Sequence, residues 1–466
     1  MHSYSYRDIF HFTIEKMRKK YFWLIFIIVL ALLLRIVILS HIIDIREHTD
    51  ILRYKDWARI AFLYGFADTY KSAHLQFGTL PNNQPPGLLY ILSCMYFIGI
   101  QISKIVLAVM HVPAGSLPWL NVTLITLLFR VPPILSDLII GSAIYFILKK
   151  ITPNVLQPYI GMGLFLFNPV IIYNSTVWGQ MDAVVNCFFI ASLYFLLNKK
   201  IFPSILLFLL SIYTKLSLLY NLPFMLLLWW KNMPKGKYIT YLIPAICFVF
   251  IFTLPVNNNP LIWISLFIKN NAIGEMTNIT AYALNVWWMI FRPHAIPEGI
   301  EDSFHFSVMH LVGSPSDTSA FYGIPLFWYG ILIFFIFLIP IALNLLQKKI
   351  STIFLIRNLF IISLLAFLVL PRMHERYMYP IFPLLTILAV CLPWYMAGLF
   401  ALSILHFINM YIVYHPFLLA GFPYAVWGQK HVQWLISIFI VLIAVVFYVS
   451  TVFPNMTFPK KEKRNI

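Results

Sequence analysis

An all-α, polytopic membrane protein is the fold class this sequence predicts, and three observations lead there. Of 466 residues, 61% are hydrophobic and 11% charged, with mean hydropathy +0.84, which is too apolar for a soluble chain. Apolar runs of about 20 residues, long enough to cross a hydrocarbon core, recur from one end to the other. Basic residues gather in short clusters between those runs: Arg7, Lys16, Arg18, Lys19 and Lys20; Lys149 and Lys150; Lys199 and Lys200; Lys231, Lys235 and Lys237; Lys348 and Lys349; and Lys460, Lys461, Lys463 and Arg464. A net charge of +17 spread in this way is positive-inside bias and not a nucleic-acid surface.

Taken in order, the runs predict spans near 21–43, 87–109, 131–148, 153–172, 183–198, 201–214, 217–230, 238–255, 324–345, 351–370, 377–395, 397–413 and 433–453, with a further segment at 117–130. The first is long enough to span and no small-residue cleavage site follows it, so it reads as a permanent helix and not a signal peptide. Both termini are then cytoplasmic, the number of spans is even, and the expectation is 12–14 helices, preferably fourteen. In a plasma membrane, with the basic clusters inside, the carboxylates fall mainly on the extracytoplasmic face. Two large outer segments result, 44–86 and 256–323. The piece 57–65 is apolar on one face and basic on the other, suited either to an interfacial helix or to an ordinary loop helix. The four cysteines, Cys94, Cys187, Cys247 and Cys391, lie in apolar runs without ligand spacing, so neither a disulfide nor a zinc site is expected.

Several polar constellations stand out near the outer interface. Between two long apolar runs lies Pro371-Arg-Met-His-Glu-Arg-Tyr-Met-Tyr-Pro380. Ionisable groups at the edge of hydrocarbon are costly, and a cluster of them is a functional-site hypothesis. Arg372, His374 and Arg376 offer donors to a phosphate, with Glu375 orienting a basic neighbour; the alternative is an ion cluster tying two helix ends together. Trp178-Gly-Gln-Met-Asp182 places an aromatic ring, an amide and a carboxylate within five residues, a sugar-binding combination, although a lone interfacial Trp is often an aromatic-belt anchor. Asp50, just outside the first helix, is a candidate base for an acceptor hydroxyl; the alternative is that it and its acidic neighbours are simply a solvated loop. Glu47, His48 and Asp50 could form part of a divalent-metal site, with no specific spacing. Lys215 either snorkels to the interface or makes a second phosphate contact. Arg130 and Asp137, seven residues apart, suggest one structural pair. Asn285 and Trp287 belong to a mixed polar and aromatic segment of the second outer loop, which reads equally as a membrane-surface anchor.

In this order, Asp50, Pro85-Pro-Gly87, Arg130-Val-Pro-Pro133 with Asp137, Trp178-Gly-Gln-Met-Asp182, Thr214-Lys215, Asn285-Val-Trp287 and Met373-His-Glu-Arg-Tyr377 resemble the bacterial relatives of the GPI mannosyltransferases, within the GT-C superfamily of membrane glycosyltransferases. The likeness covers roughly residues 40–380, and Trp-Gly-Gln-x-Asp and Met-His-Glu-Arg-Tyr are its more specific parts. It implies the multi-helix GT-C fold, a catalytic carboxylate in the first outer loop (here Asp50), a polyprenyl-phosphate-linked sugar as donor, and inversion at the anomeric centre. Where relatives often read Asp-Tyr-Pro-Pro, this chain has Asn83-Gln-Pro-Pro86, and no role carries over to that position.

The expected function is transfer of one sugar, a hexose such as mannose, from a polyprenyl-phosphate donor to a hydroxyl of a lipid, glycan or protein acceptor outside the membrane. Asp50 is the base; Arg372, His374, Arg376 and Lys215 hold the lipid phosphate; Trp178, Gln180, Asp182, Asn285 and Trp287 position sugar or acceptor. Glu375, Arg130 and Asp137 are supporting. No cofactor is required by the motifs, and a divalent metal is left open. A lipid-linked oligosaccharide flippase and a polysaccharide polymerase or ligase use related substrates and are the alternatives.

Overall fold

A computed structural model describes residues 6–42, 49–76, 78–112, 118–273, 277–297, 309–347, 350–414 and 426–453. Glu47 and His48, with the metal-site expectation they carry, lie outside the described residues. Among the described residues, seven helices are long and apolar enough to cross a membrane: Tyr21–Ile42, Pro86–Val109, Thr123–Ile151, Leu326–Leu346, Thr352–Val369, Trp394–Val413 and Lys430–Val452. An eighth crossing results if Gln157–Leu166 and Pro169–Trp178, bent by 46° at their junction, count as one. The protein is thus a helical, multi-pass membrane protein.

The helix pattern departs from the expected fourteen spans in instructive ways. Segments 117–130 and 131–148 are not two spans but one helix, Pro118–Ile151, which runs through Pro132 and Pro133. A Pro pair usually ends a helix because it removes donors and crowds the preceding turn; here the apolar faces on both sides keep the chain helical. The run at 217–230 becomes a short 3-10 turn, Leu216–Asn221, followed by Leu222–Asn232, and the run at 377–395 shortens to Ile381–Cys391 between Pro380 and Leu392. Helices of 11 to 16 residues rise about 16–24 Å, short of the roughly 30 Å hydrocarbon core. Among the described residues, strand structure amounts to three two-stranded ribbons.

Thr352–Val369 is the innermost element: Leu355 through Val369 are all buried. It is apolar over most of its circumference, as a helix enclosed on every side tends to be, with Arg357, Asn358 and Ser363 as buried polar exceptions. Ile381–Cys391 is buried almost as completely and packs against it. The segment 371–380 is therefore held between two deeply buried helices. Leu326–Leu346 reaches this segment closely at Gly330, where a Cβ would stand 2.8 Å from the Val369 carbonyl and 3.0 Å from Pro371.

A buried ionic knot joins four elements. The Asp137 carboxylate accepts from Arg35 Nη2 (3.2 Å), Ser175 Oγ (2.5 Å) and Tyr379 Oη (2.5 Å), and neither Arg35 nor Asp137 is exposed. Asp137 does not pair with Arg130, as the spacing had suggested. Seven residues separate the two by about 10 Å along the helix, too far for contact, and Arg130 instead donates to the carbonyls of Thr126, Thr176 and Val177.

Removing one member of such a pair leaves a buried charge uncompensated, at a cost of about 3–5 kcal/mol. Asp137→Ala is expected to lower the thermal unfolding midpoint of the detergent-solubilised protein sharply, whereas Tyr379→Phe, which deletes one hydrogen bond to the carboxylate, costs about 1.5–3 kcal/mol. Equal midpoints for wild type and Asp137→Ala would show that the knot contributes nothing to stability.

Candidate active site

The Trp178–Asp182 spacing is a helix break followed by a helix start. Tyr173–Trp178 forms a π-helical turn, a local irregularity common at functional sites. Gly179 ends it in the left-handed conformation (φ 77°), and a Cβ there would meet Arg130 and Ile51 at 3.1 and 3.2 Å. Arg130 caps the turn, its cation answering the unpaired carbonyls at a helix C-terminus. Asp182 then opens Asp182–Leu197, where a carboxylate faces the positive end of the helix dipole.

Gln180, between the two, points to the first loop. Its Nε2 donates to Asp50 Oδ2 at 2.7 Å, and Tyr54 Oη donates to its Oε1 at 3.3 Å. Asp50 lies in the first turn of Thr49–Tyr64, so Tyr54, four residues on, shares its helix face. Burial, and then the neighbouring Asp50 carboxylate, raise the Tyr54 phenol well above its ordinary pKa, keeping it a hydrogen donor. Tyr54 was not among the expected site residues; its i,i+4 relation to Asp50 was the available signal.

Segment 371–380 supplies the cations, and the structure divides them. Met373–His374 pairs in parallel with Thr280–Ala281, and the Arg372 N–H donates to the Ile279 carbonyl. Arg372, at φ 59°, turns its side chain to Asp317, with Nε 2.5 Å from Oδ2. Arg376 faces the other way. Its Nη1 lies 2.7 Å from Glu375 Oε1, Nη2 3.5 Å from Asp50 Oδ2 and Nε 3.7 Å from Asp182 Oδ2. The guanidinium also lies over the rings of Trp178 and Tyr377, at 5.6 and 5.7 Å. Burial opposes its charge, but Asp50, Glu375 and Asp182 outweigh that effect and hold its pKa well above normal. Burial would raise Glu375 too; Arg376 and His374 overcome it and bring the carboxyl down to about 2. His374 packs edge-on against Tyr377, with Nδ1 3.7 Å from Glu375 Oε2.

Lys215 does not snorkel. It is 5% exposed, places Nζ 2.6 Å from Asp182 Oδ1 and lies 4.7 Å from the Tyr377 ring centre. It also borders a groove of about 790 Å³ whose head is polar, with Asn83, Gln84, Lys215 and Arg372, and whose body is apolar. Leu222–Asn232 contributes Phe224 and Leu227 to that body, and Leu326–Leu346 contributes Phe334, Leu338, Ile339 and Ala342. Along the latter helix the lining runs from Ile331 to Ala342, about 16 Å.

The expected residues thus separate into three groups. Asp50, Gln180, Arg376, Asp182 and Lys215 form a continuous chain of contacts, with Glu375 and His374 at its side. Trp178 is fully buried, against Tyr414 and Arg376, and supports the guanidinium instead of offering a free ring face. Asn285 and Trp287 lie apart: Asn285 caps Val286–Phe291 and donates to the Phe367 carbonyl at 3.1 Å, and Trp287 Nε1 donates to the Val369 carbonyl at 2.9 Å. Their polar atoms are engaged with the end of the central helix. The converging carboxylates Asp50, Asp182 and Glu375 each face Arg376 or Lys215, and among the described residues no three His, Cys, Asp or Glu side chains form a metal-ligand group. No family model matches the chain, and no curated protein matches it.

Because the Glu375 pKa falls from 4.5 to about 2 on folding, its stabilising effect is complete above pH 4.5 and is lost as pH drops toward 2. Glu375→Gln should therefore be less stable than wild type at neutral pH, with the gap closing in acid. A gap in thermal midpoint that stays constant from pH 7 to pH 3 would contradict an ionised Glu375.

Proposed function

We propose that the protein is a membrane glycosyltransferase of GT-C type, taking one hexose from a polyprenyl-phosphate donor and placing it, with inversion, on the hydroxyl of a lipid, glycan or protein acceptor at the outer face of the plasma membrane. One observation carries the reading: a long apolar groove ends at two cations, Lys215 and Arg372, and the first of these is linked through Asp182 and Arg376 to the carboxylate of Asp50. An isoprenoid tail has the right chemistry for the groove body, and an anionic phosphate for its head.

In the proposed reaction the Asp50 carboxylate takes the proton of the acceptor hydroxyl. The acceptor oxygen forms a bond to the sugar's anomeric carbon on the face opposite the phosphate, the bond from that carbon to the phosphate oxygen breaks, and polyprenyl phosphate departs with the electron pair. Lys215 and Arg372 stabilise the charge gathering on the leaving phosphate, the point at which fixed charge lowers a barrier most. Gln180 and Tyr54 orient Asp50. Arg376 belongs with the base, not with the phosphate.

The test is a transfer assay on purified protein with radiolabelled polyprenyl-phosphate mannose, glucose and galactose and total cell-envelope acceptor. Asp50→Asn should insert normally in the membrane and lose about 10²–10⁴-fold in rate, the usual contribution of a general base. Leu338→Trp, which fills the groove body, should raise the KM for the donor and leave kcat less affected. Full activity of Asp50→Asn would remove Asp50 from the mechanism, and a product heavier by a block of sugars would indicate a polymerase or ligase.

A further inference from the structure

Resting on the reading just given, one feature of the charge chain goes further. Asp182 Oδ2 and Arg376 Nε face each other at 3.7 Å, both buried, and neither makes a hydrogen bond. An acceptor and a donor left in this way are costly to each other's surroundings, and a shift from 3.7 Å to about 2.9 Å would satisfy both. Each residue is also engaged elsewhere through its other atoms. Asp182 holds Lys215 by Oδ1 at 2.6 Å, and Arg376 holds Asp50 by Nη2 at 3.5 Å and Glu375 by Nη1 at 2.7 Å. Lys215 is the member of this chain that borders the groove, while Asp50, Asp182 and Arg376 do not line it. The Tyr377 ring lies beside both cations, 4.7 Å from Lys215 Nζ and 5.7 Å from the Arg376 guanidinium carbon.

We propose that Arg376 is a two-position switch between Asp50 and Asp182, thrown by an anionic phosphate at the head of the groove. With the groove empty, Lys215 neutralises Asp182 and Arg376 stays on Asp50, whose carboxylate is thereby a weak base. A phosphate draws Lys215 toward itself. Asp182, buried and short of a cation, then attracts Arg376, the Nε–Oδ2 hydrogen bond closes, and Asp50 is released with Gln180 still orienting it. The base becomes strong only when the donor is in place, so that an acceptor proton is not taken to no purpose. Asp182 and Arg376 are positioning residues in this scheme.

The reactivity of Asp50 toward a hydrophobic carbodiimide, which needs a protonated carboxyl, reports the switch without turnover. Losing a guanidinium neighbour favours the protonated form by about tenfold per pKa unit, and such a neighbour shifts a carboxyl by about one unit or more. Full-length protein in detergent is therefore labelled with and without undecaprenyl phosphate, retention of the radiolabelled lipid is counted on the same sample, and Asp50 modification is read by peptide mass spectrometry. Wild type should show about a tenfold rise in Asp50 labelling when the lipid binds, and Asp182→Asn should bind the lipid without the rise. Asp182→Glu, whose longer side chain completes the bond to Arg376 unaided, should be labelled at the high level without lipid, and carries the test if Asp182→Asn does not fold. Lipid bound with Asp50 labelling unchanged overturns the switch and leaves the donor reading standing, as does a rise in Asp182→Asn equal to that of wild type. Lipid not retained at all overturns both.

Discussion

The geometry of the candidate site depends on one buried ion pair. Asp137 and Arg35, both unexposed, bind the first helix to Pro118–Ile151, and Ser175 and Tyr379 also donate to the Asp137 carboxylate. Ser175 belongs to the π-helical turn that ends at Trp178, and Tyr379 to the segment that carries Arg376. The two stretches richest in site residues are thus fastened to the same carboxylate. A charge in an apolar interior tolerates little misplacement, because any loss of a partner leaves it both desolvated and unpaired. That intolerance gives the site a rigid base from beneath.

Above the knot, charge is arranged in a line and not in a ring. Asp50, Arg376, Asp182 and Lys215 alternate in sign, with Glu375 and Asp317 fixing Arg376 and Arg372 from the side. In surroundings of low dielectric, alternating neighbours stabilise one another strongly, and a change at one end is felt at the other. The line begins at a residue beside the groove and ends at the partly exposed carboxylate of Asp50, so it joins the region suited to a lipid anion with the region suited to proton transfer.

The groove itself depends on two close approaches. Gly330 allows Leu326–Leu346 to reach the start of segment 371–380, and a side chain there would collide with the Val369 carbonyl. Trp287 and Asn285 donate to the Val369 and Phe367 carbonyls, so that two of the acceptors at the end of the central helix are satisfied where the chain leaves it to turn at Arg372. These two residues were expected to touch sugar or acceptor. In the structure their polar atoms fasten the end of the central helix from which segment 371–380 departs.

What the sequence by itself determined is the solvent and the parts list. Apolar runs separated by basic clusters dictate a helical membrane protein, since only internally hydrogen-bonded backbone is tolerated in hydrocarbon, and the costly polar residues Asp50, Gln180, Asp182, Lys215 and Arg376 stand out against that background. Pairing was not legible there. Arg130 and Asp137, close in sequence, belong to different networks, while Arg35 and Tyr379 meet Asp137 across separations of 102 and 242 residues. Helix extent was equally hidden, because Pro132 and Pro133 read locally as a break and only packing keeps Pro118–Ile151 continuous. Nor could the sequence separate Arg372 from Arg376. Four residues apart on an irregular segment, they face opposite sides because Arg372 is turned at φ 59° and held by Asp317, and those are contacts that only the tertiary structure supplies.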